Sequence, residues 1–224
     1  MSMKGDSPDL RGIDRWGEGL GWLAHPEEGM RRASHALAAD GGVWVVDPVD
    51  APGVDDLLAD LGEVVGVVIC LDRHERDAVT IARRHDVPVF VPDRMSGVAE
   101  GLDATTERFG NRLGDSDYRA LTVRDSSLPP WQEVALTDGE TLYVPEAVGT
   151  APFFRAGGER VGVHPMLRPF PPRRALGELE PDRLLVGHGE GVLADATAAL
   201  RDALAGARRR APAAYAGALR EMLG

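Results

Sequence analysis

The apolar run EVVGVVIC, at positions 63–70, constrains the fold of this chain more than any other segment. Its β-branched residues show no alternation with polar ones, which predicts a strand buried on both faces of a sheet. A second apolar strand, VPVFVP, follows at 87–92. Because this order is that of a β-α-β unit, we expect a parallel sheet covered by helices. The helix between the two strands has its apolar positions at helical spacing, at Ala78, Ile81, Ala82 and His85.

Further strands are predicted on both sides of this unit. The segment 32–48 predicts two strands joined by a tight turn, in which Asp40-Gly41-Gly42 supplies positive φ angles. The sequence VDDLLADLG predicts a short helix, and ALTVRD, WQEVALTD, ETLYVPEAV and RLLVGHG predict four more strands. Helices are predicted at 193–210 and 211–224. The segment 93–118 has no clear period and is assigned to a helix or loop excursion.

Composition limits the kinds of protein this chain can be. Its 224 residues are 43% hydrophobic and have a formal net charge of −11, which predicts one domain over 1–224 with a helical C-terminal tail at 207–224. An acidic surface repels a phosphate backbone, so nucleic acid is not an expected partner. Cys70 is the only cysteine, and no apolar stretch resembles a signal peptide or reaches the roughly 20 residues of a membrane helix. We expect a cytoplasmic protein, monomeric or homodimeric, that does not contact membranes.

Polar residues follow four of the predicted strands. Asp47 ends VVDPV, LDRHERDA occupies 71–78, Glu146 lies in TLYVPEAV, and His188 lies in VGHG. In their order and spacing these segments resemble the motifs of the metallo-β-lactamase superfamily, whose second motif is His-x-His-x-Asp-His. The resemblance covers about 17–206. It implies an α/β fold of the four-layer αβ/βα sandwich type, with C-terminal helices, and a metal site between the two sheets.

The resemblance also implies that the metal site is degenerate. Asp72 stands at the first His position of the motif, His74 at the second, Arg76 at the Asp position and Asp77 at the last His position. The segment 126–136 has no His where the family has a Pro-Gly-His turn. Since two of five imidazoles remain, we expect no two-metal centre, and no bound metal or other cofactor is expected. If a single zinc or other divalent metal is bound, the expected ligands are His74, Asp77, Glu146 and His188.

Arg76 is further evidence against a second metal, because a permanent cation repels a divalent ion. We expect its guanidinium to take the place of the ion and to form bidentate pairs with Asp47, Asp77 or Glu146. The strand-to-helix turn at 72–77 is then interpreted as a remodelled metal site.

Each of these residues also has an interpretation without function. Asp72 and the Glu three residues later have the spacing of a capping box, and Asp47 can cap the loop after its strand. For His74 there are three alternatives: a solvent-facing residue at the start of a helix, a metal ligand, or a residue that contacts a substrate. Arg76 and Asp77 are first-turn surface charges in this view. His188, between two glycines at a strand end, is the residue for which a functional role is favoured most.

Residues outside the motifs are expected to have structural roles. The segment 166–176 contains several arginines that either clamp an anionic substrate or lie in a solvated loop, the second being favoured: Arg168, Arg173 and Arg174. Structural roles are also expected for the remaining histidines: His25, His35, His85 and His164.

Three functions are compatible with the sequence. The one favoured is a protein without metal-dependent catalysis that binds a small molecule or a partner protein in the old active-site cleft. The second is a hydrolase that uses one metal ion to attack an ester, thioester or phosphoester. The third is an interaction or oligomerisation module. The fold alone does not decide among them, because the same scaffold serves different chemistries.

Overall fold

A computed structural model describes residues 10–39 and 41–223, with side chains up to residue 217. Its larger sheet has seven strands in chain order: β1 (Arg11–Trp16), β2 (Gly19–Leu23), β3 (Ala33–Ala39), β4 (Gly42–Val46), β5 (Val64–Val68), β6 (Val89–Pro92) and β7 (Thr106–Phe109). Strands β1 to β4 pair antiparallel, and β4 to β7 pair parallel. The predicted hairpin between β3 and β4 is confirmed by the pairing of Ala39 with Gly42, although Asp40 of its turn lies outside the described residues.

The smaller sheet has four strands in the order β13-β10-β9-β8. Strands β8, β9 and β10 are antiparallel neighbours, whereas β10 and β13 are parallel. A two-stranded ribbon, β11 with β12, extends from β10. The bounds of these strands are β8 (Arg119–Ser127), β9 (Pro130–Thr137), β10 (Thr141–Val144), β11 (Val148–Gly149), β12 (Gly162–Val163) and β13 (Arg183–Val186).

Helices cover the outer face of each sheet, which confirms the predicted four-layer sandwich. Among the buried residues, those of α1, α2 and α3 pack on the larger sheet, and those of α5 pack on the smaller one. Tyr143, Val46 and Leu185 belong to a third cluster that fills the space between the sheets. The helices are α1 (Val54–Ala59), α2 (Ala78–His85), α3 (Ser96–Gly101), α4 (Arg173–Leu176) and α5 (Ala196–Leu223), with a 3₁₀ turn at Pro165–Leu167.

Three parts of the fold differ from the sequence-based prediction. Strands β1 and β2 were not predicted, and the segment 93–118, assigned to a helix or loop excursion, contains the helix α3 and also the unpredicted edge strand β7. The two predicted C-terminal helices are one continuous helix that passes through Pro212, so the predicted tail continues α5 over its described residues, 207–223. None of the described helices is both long and apolar enough to cross a bilayer.

Candidate functional site

Three buried side chains meet where strands of the two sheets end. His74 follows β5, Glu146 follows β10, and His188 follows β13. One ligand atom of each lies within 4.8 Å of the others, and the His74 and His188 ring centroids are 5.4 Å apart. The three residues are 4%, 7% and 4% exposed, respectively. The sequence motifs therefore meet in space, in a cluster that little solvent reaches.

His74 is fixed by a buried carboxylate. Its Nδ1 lies 3.0 Å from Oδ2 of Asp47, which also accepts the Tyr143 hydroxyl at 2.6 Å, while Oδ1 accepts the Cys70 N–H at 2.8 Å. Burial raises the pKa of Asp47 to about 6, and Arg76 and the donors to its carboxylate oppose this rise. Above about pH 6 the ionised Asp47 carboxylate can only accept hydrogen bonds. Nδ1 of His74 therefore carries the proton, and Nε2 has a lone pair. Burial, followed by nearby arginines, holds the pKa of His74 well below its usual value.

His188 has the same arrangement. Its Nδ1 lies 3.0 Å from the carbonyl oxygen of Met30, which can only accept, so Nδ1 is protonated. Its Nε2 is buried and has no hydrogen-bond partner among the described residues. Burial is the main cause that holds the pKa of His188 well below its usual value. An unpaired buried lone pair is costly, and here it lies beside the lone pair of His74.

Glu146 is oriented by Arg73, and His164 lies near its second carboxylate oxygen. Arg73 Nε donates to Oε2 at 3.0 Å, and His164 Nε2 lies 3.5 Å from Oε1. The His164 tautomer is set by its other nitrogen, because Nδ1 accepts the N–H of Met166 at 3.2 Å. His164 therefore presents an N–H to Glu146. Burial raises the pKa of Glu146, and Arg73 opposes this rise.

Arg76 points into the cluster, but it does not form the expected carboxylate pairs. Its Nη1 donates to the carbonyl oxygens of Ala33 and Asp47, each at 2.7 Å, and Nη2 donates to that of Gly187 at 3.1 Å. Nη2 also lies 3.2 Å from Nε2 of His74, whose lone pair it can bind. The guanidinium thus ties β3 and β4 of one sheet to β13 of the other through backbone oxygens.

Two residues of this site adopt the left-handed backbone conformation, Asp47 with φ 45° and Arg76 with φ 41°. Residues other than glycine rarely adopt this conformation, although Asp and Asn do so more often than the others. Such strain of about 1 kcal/mol or more persists only where the surroundings hold it. The hydrogen bonds of Asp47 and Arg76 provide that restraint.

Asp72 and Asp77 lie outside the cluster. The N–H of Gln132 donates to Oδ2 of Asp72 at 2.8 Å, which attaches the turn to β9. Oδ2 of Asp77 accepts the N–H of Asp50 at 2.9 Å. The predicted capping box is wrong, because α2 begins at Ala78 with Asp77 at its N-cap. The expected pairs of Arg76 with Asp47, Asp77 or Glu146 are likewise replaced by bonds to backbone carbonyls.

The sequence-based prediction missed several residues around the cluster. His164, expected to be structural, contacts Glu146 and packs edge-on against Trp131 at a centroid distance of 5.0 Å. Trp131 and the fully buried Glu133 lie in the segment that lacks the family histidine, and Glu133 accepts the N–H groups of Glu146 and Ala147. No periodicity or motif marked these residues.

Arg168 does not clamp a substrate, nor does it lie in a solvated loop. It is fully buried and pairs with Glu159 at 2.6 Å, and it also donates to the carbonyl oxygens of Phe154 and Val163. These bonds hold together the loop that contains His164. Arg173 donates to the carbonyl oxygen of Leu204 in α5.

The residues of the cluster do not fit two metal ions. A two-metal hydrolytic centre needs several neutral imidazoles and a bridging carboxylate, whereas this cluster has two imidazole lone pairs and one carboxylate. The same set fits a single ion, and the unpaired Nε2 of His188 is an observation in its favour. Arg76 disfavours binding of that ion, because its Nη2 lies 3.2 Å from Nε2 of His74 and uses the lone pair that the ion would need.

Comparisons with known proteins agree on the fold. No protein-family model and no curated protein sequence matches the chain. The DIM-1 metallo-β-lactamase is 15% identical with a TM-score of 0.60, over 93% of this chain and 99% of that one. A flavoprotein from Thermotoga maritima is 12% identical with a TM-score of 0.64, over 91% and 62%. A metallo-β-lactamase from Pontibacter korlensis is 10% identical with a TM-score of 0.56, over 88% and 99%. The chain has the metallo-β-lactamase fold, as its motifs predicted.

Proposed function

We propose that this chain is a metallo-β-lactamase-like protein that works by binding a ligand and does not catalyse metal-dependent hydrolysis. The observation that supports the proposal is the position of Arg76. Its guanidinium lies between the sheets, where it donates hydrogen bonds to three backbone carbonyl oxygens and contacts Nε2 of His74. A permanent cation there supplies the positive charge that a metal ion otherwise provides, but it cannot bind and activate water as a metal does.

The accessible part of the site is its rim. The cluster residues are almost fully buried, whereas the Arg73 side chain is 39% exposed and lies 4.2 Å above the Trp131 ring. A molecule that approaches the old cleft therefore meets a guanidinium stacked on an indole. Nη1 and Nε of Arg73 already bind Asp72 and Glu146 at 3.0 Å each, so the carboxylate or phosphate group of a small ligand would be bound by the remaining guanidinium nitrogen, Nη2.

The experiment is to purify the full chain without chelator, measure its metal content by elemental analysis, and assay hydrolysis of a chromogenic β-lactam, a thioester and a phosphodiester with and without added zinc. We expect no stoichiometric metal and no hydrolysis above the buffer rate. One or two metal ions per chain, together with zinc-dependent turnover, would refute the proposal.

A second function is favoured by one observation, the unpaired buried Nε2 of His188. In that case His74, Glu146 and His188 would hold one metal ion, which would supply a Lewis acid for hydrolysis of an ester, thioester or phosphoester. His164 would face the Glu146 carboxylate with its protonated Nε2, at 3.5 Å. Asp77 would not take part, because its carboxylate binds the backbone of Asp50. The metal content of the purified protein separates the two functions.

A further inference from the structure

We infer that Arg76 and a single divalent metal ion are alternative occupants of the same space, and that Arg76 keeps three intact ligands from binding metal. The ligands are Nε2 of His74, the carboxylate of Glu146 and Nε2 of His188. The inference builds on the proposed function, since it states how the site is kept free of metal. It predicts that one substitution at Arg76 exposes a metal site in a chain that otherwise lacks one.

The two imidazoles are already prepared as ligands. Each must present an unprotonated nitrogen to the ion, and in each the other nitrogen holds its proton against an acceptor 3.0 Å away. That acceptor is the Asp47 carboxylate for His74 and the Met30 carbonyl oxygen for His188. Metal-binding histidines usually have such a second contact, which fixes the tautomer and the ring orientation. Neither contact involves the side chain of Arg76.

The third ligand is Glu146, and a fourth is excluded by hydrogen bonding. His164 faces the same carboxylate, but its Nδ1 accepts the Met166 N–H, so the nitrogen facing Glu146 carries a proton and cannot bind a metal. The site therefore offers two nitrogen ligands and one oxygen ligand. Zinc and other first-row divalent ions accept this set.

Competition with Arg76 follows from the geometry at His74. Nη2 lies 3.2 Å from Nε2 and uses its lone pair, whereas a zinc ion would need the same lone pair at about 2 Å. One lone pair cannot serve both. The charges of the guanidinium and the ion also repel each other in a region that water hardly reaches.

The side chain of Arg76 is not one of the groups that orient the three ligand atoms. Its charged hydrogen bonds go to the main-chain oxygens of Ala33, Asp47 and Gly187. The groups that orient the three ligands are the Asp47 carboxylate, the Met30 carbonyl and the Arg73 guanidinium. A neutral side chain at position 76 removes the competing cation and none of the groups that orient the ligands.

The test is a zinc titration by calorimetry of the full chain after dialysis against chelator, with bound zinc counted by elemental analysis. Four proteins are compared: the parent, Arg76→Met, Arg76→Met with His188→Ala, and the control Arg15→Met. Arg15 is an exposed arginine, so its variant should behave as the parent does. We expect Arg76→Met to bind one zinc ion per chain at least about 100-fold more tightly than the parent, and the added His188→Ala to abolish this gain.

The outcomes are separable. If folded Arg76→Met binds zinc no better than the parent, the inference is overturned while the proposed function stands. If the parent itself binds one zinc ion tightly, the inference is overturned, and zinc-dependent turnover by the parent would overturn the proposed function as well. If Arg76→Met folds only when zinc is present, by circular dichroism, and His188→Ala removes that effect, the inference is supported. If it folds under neither condition, Arg76→Gln is titrated by the same criteria, since its amide can still donate to a carbonyl oxygen.

Discussion

Replacement of Glu133 by glutamine removes a buried titrating group beside the site, and we expect it to change how stability depends on pH. The Glu133 carboxylate is fully buried. It accepts the N–H groups of Glu146 at 2.9 Å and Ala147 at 2.8 Å, and the indole N–H of Trp131 at 2.7 Å. Burial raises its pKa from 4.5 to about 7, although these three donors oppose the rise.

The sign of the effect follows from which state binds the proton. Between pH 4.5 and about 7 the folded chain holds a proton on Glu133 and the unfolded chain does not. The free energy of unfolding therefore gains a contribution as the pH falls through 7, and the gain is complete below 4.5. From pH 8 to pH 5 this contribution amounts to about 2.5 kcal/mol, since each pKa unit corresponds to about 1.4 kcal/mol. Glutamine does not titrate, so the variant lacks this pH-dependent contribution to the free energy of unfolding.

The measurement is urea denaturation of the parent and of Glu133→Gln at several pH values between 5 and 8. The parent should become more stable relative to the variant by about 2.5 kcal/mol as the pH falls over that range. Other titrating groups are common to both proteins and largely cancel in the difference. Glu100→Gln, at an exposed position of α3, should show no such trend. A difference between parent and Glu133→Gln that stays constant with pH would refute a raised pKa for Glu133.

Three other substitutions test the contacts around the site by urea denaturation at pH 7. Arg76→Ala should lower the free energy of unfolding by about 3 kcal/mol, because charged hydrogen bonds to three carbonyl oxygens are lost; a loss below about 0.5 kcal/mol, as expected for Arg15→Ala, would mean that Arg76 is solvated. Arg168→Met should cost about 2–3 kcal/mol, because the buried Glu159 carboxylate loses its two hydrogen bonds from Arg168 and keeps Arg210 as its charged partner, and Glu159→Gln in the same chain should recover part of this loss. Tyr143→Phe should cost about 1–2 kcal/mol through the lost bond to Asp47, and an unchanged stability would mean that this bond contributes nothing.

Much of the fold could be predicted because local pattern and burial agree. The apolar run of β5 and the helical period of α2 follow from side chains that face the core, and Ala78, Ile81 and Ala82 are indeed buried. Strands β1 and β7 were missed for the opposite reason. They are edge strands of the larger sheet, and most of their residues are partly or fully exposed. Their pairing comes from their neighbours along the sheet, which a local pattern does not reveal.

The site could be predicted only where a motif orders it in sequence. His74, Glu146 and His188 end strands whose order resembles the family pattern, and they meet in space. His164 reaches the cluster from the loop between the ribbon strand β12 and the 3₁₀ turn, so its contact with Glu146 depends on how that loop folds. The partners of Arg76 were mispredicted for a related reason. From a sequence, the carboxylates are the expected partners of an arginine because of their charge. Every residue has a backbone carbonyl oxygen, so the sequence does not indicate which of them an arginine binds.

Within the set of Asp47, Glu146, Arg73 and Arg76, the charges match without a metal ion, while Asp72 also pairs with Arg73 and Glu133 lies beside the set. The carboxylates of Asp47 and Glu146 are matched by the guanidinium groups of Arg73 and Arg76. Burial keeps the three histidines of the site neutral at pH 7, with the pKa of His164 lowered to about 3. A divalent ion added to this set would leave two uncompensated positive charges in a poorly hydrated region, which is strongly unfavourable. Removal of Arg76 leaves only one, so the loss of this single side chain changes both the geometry and the charge in favour of the ion.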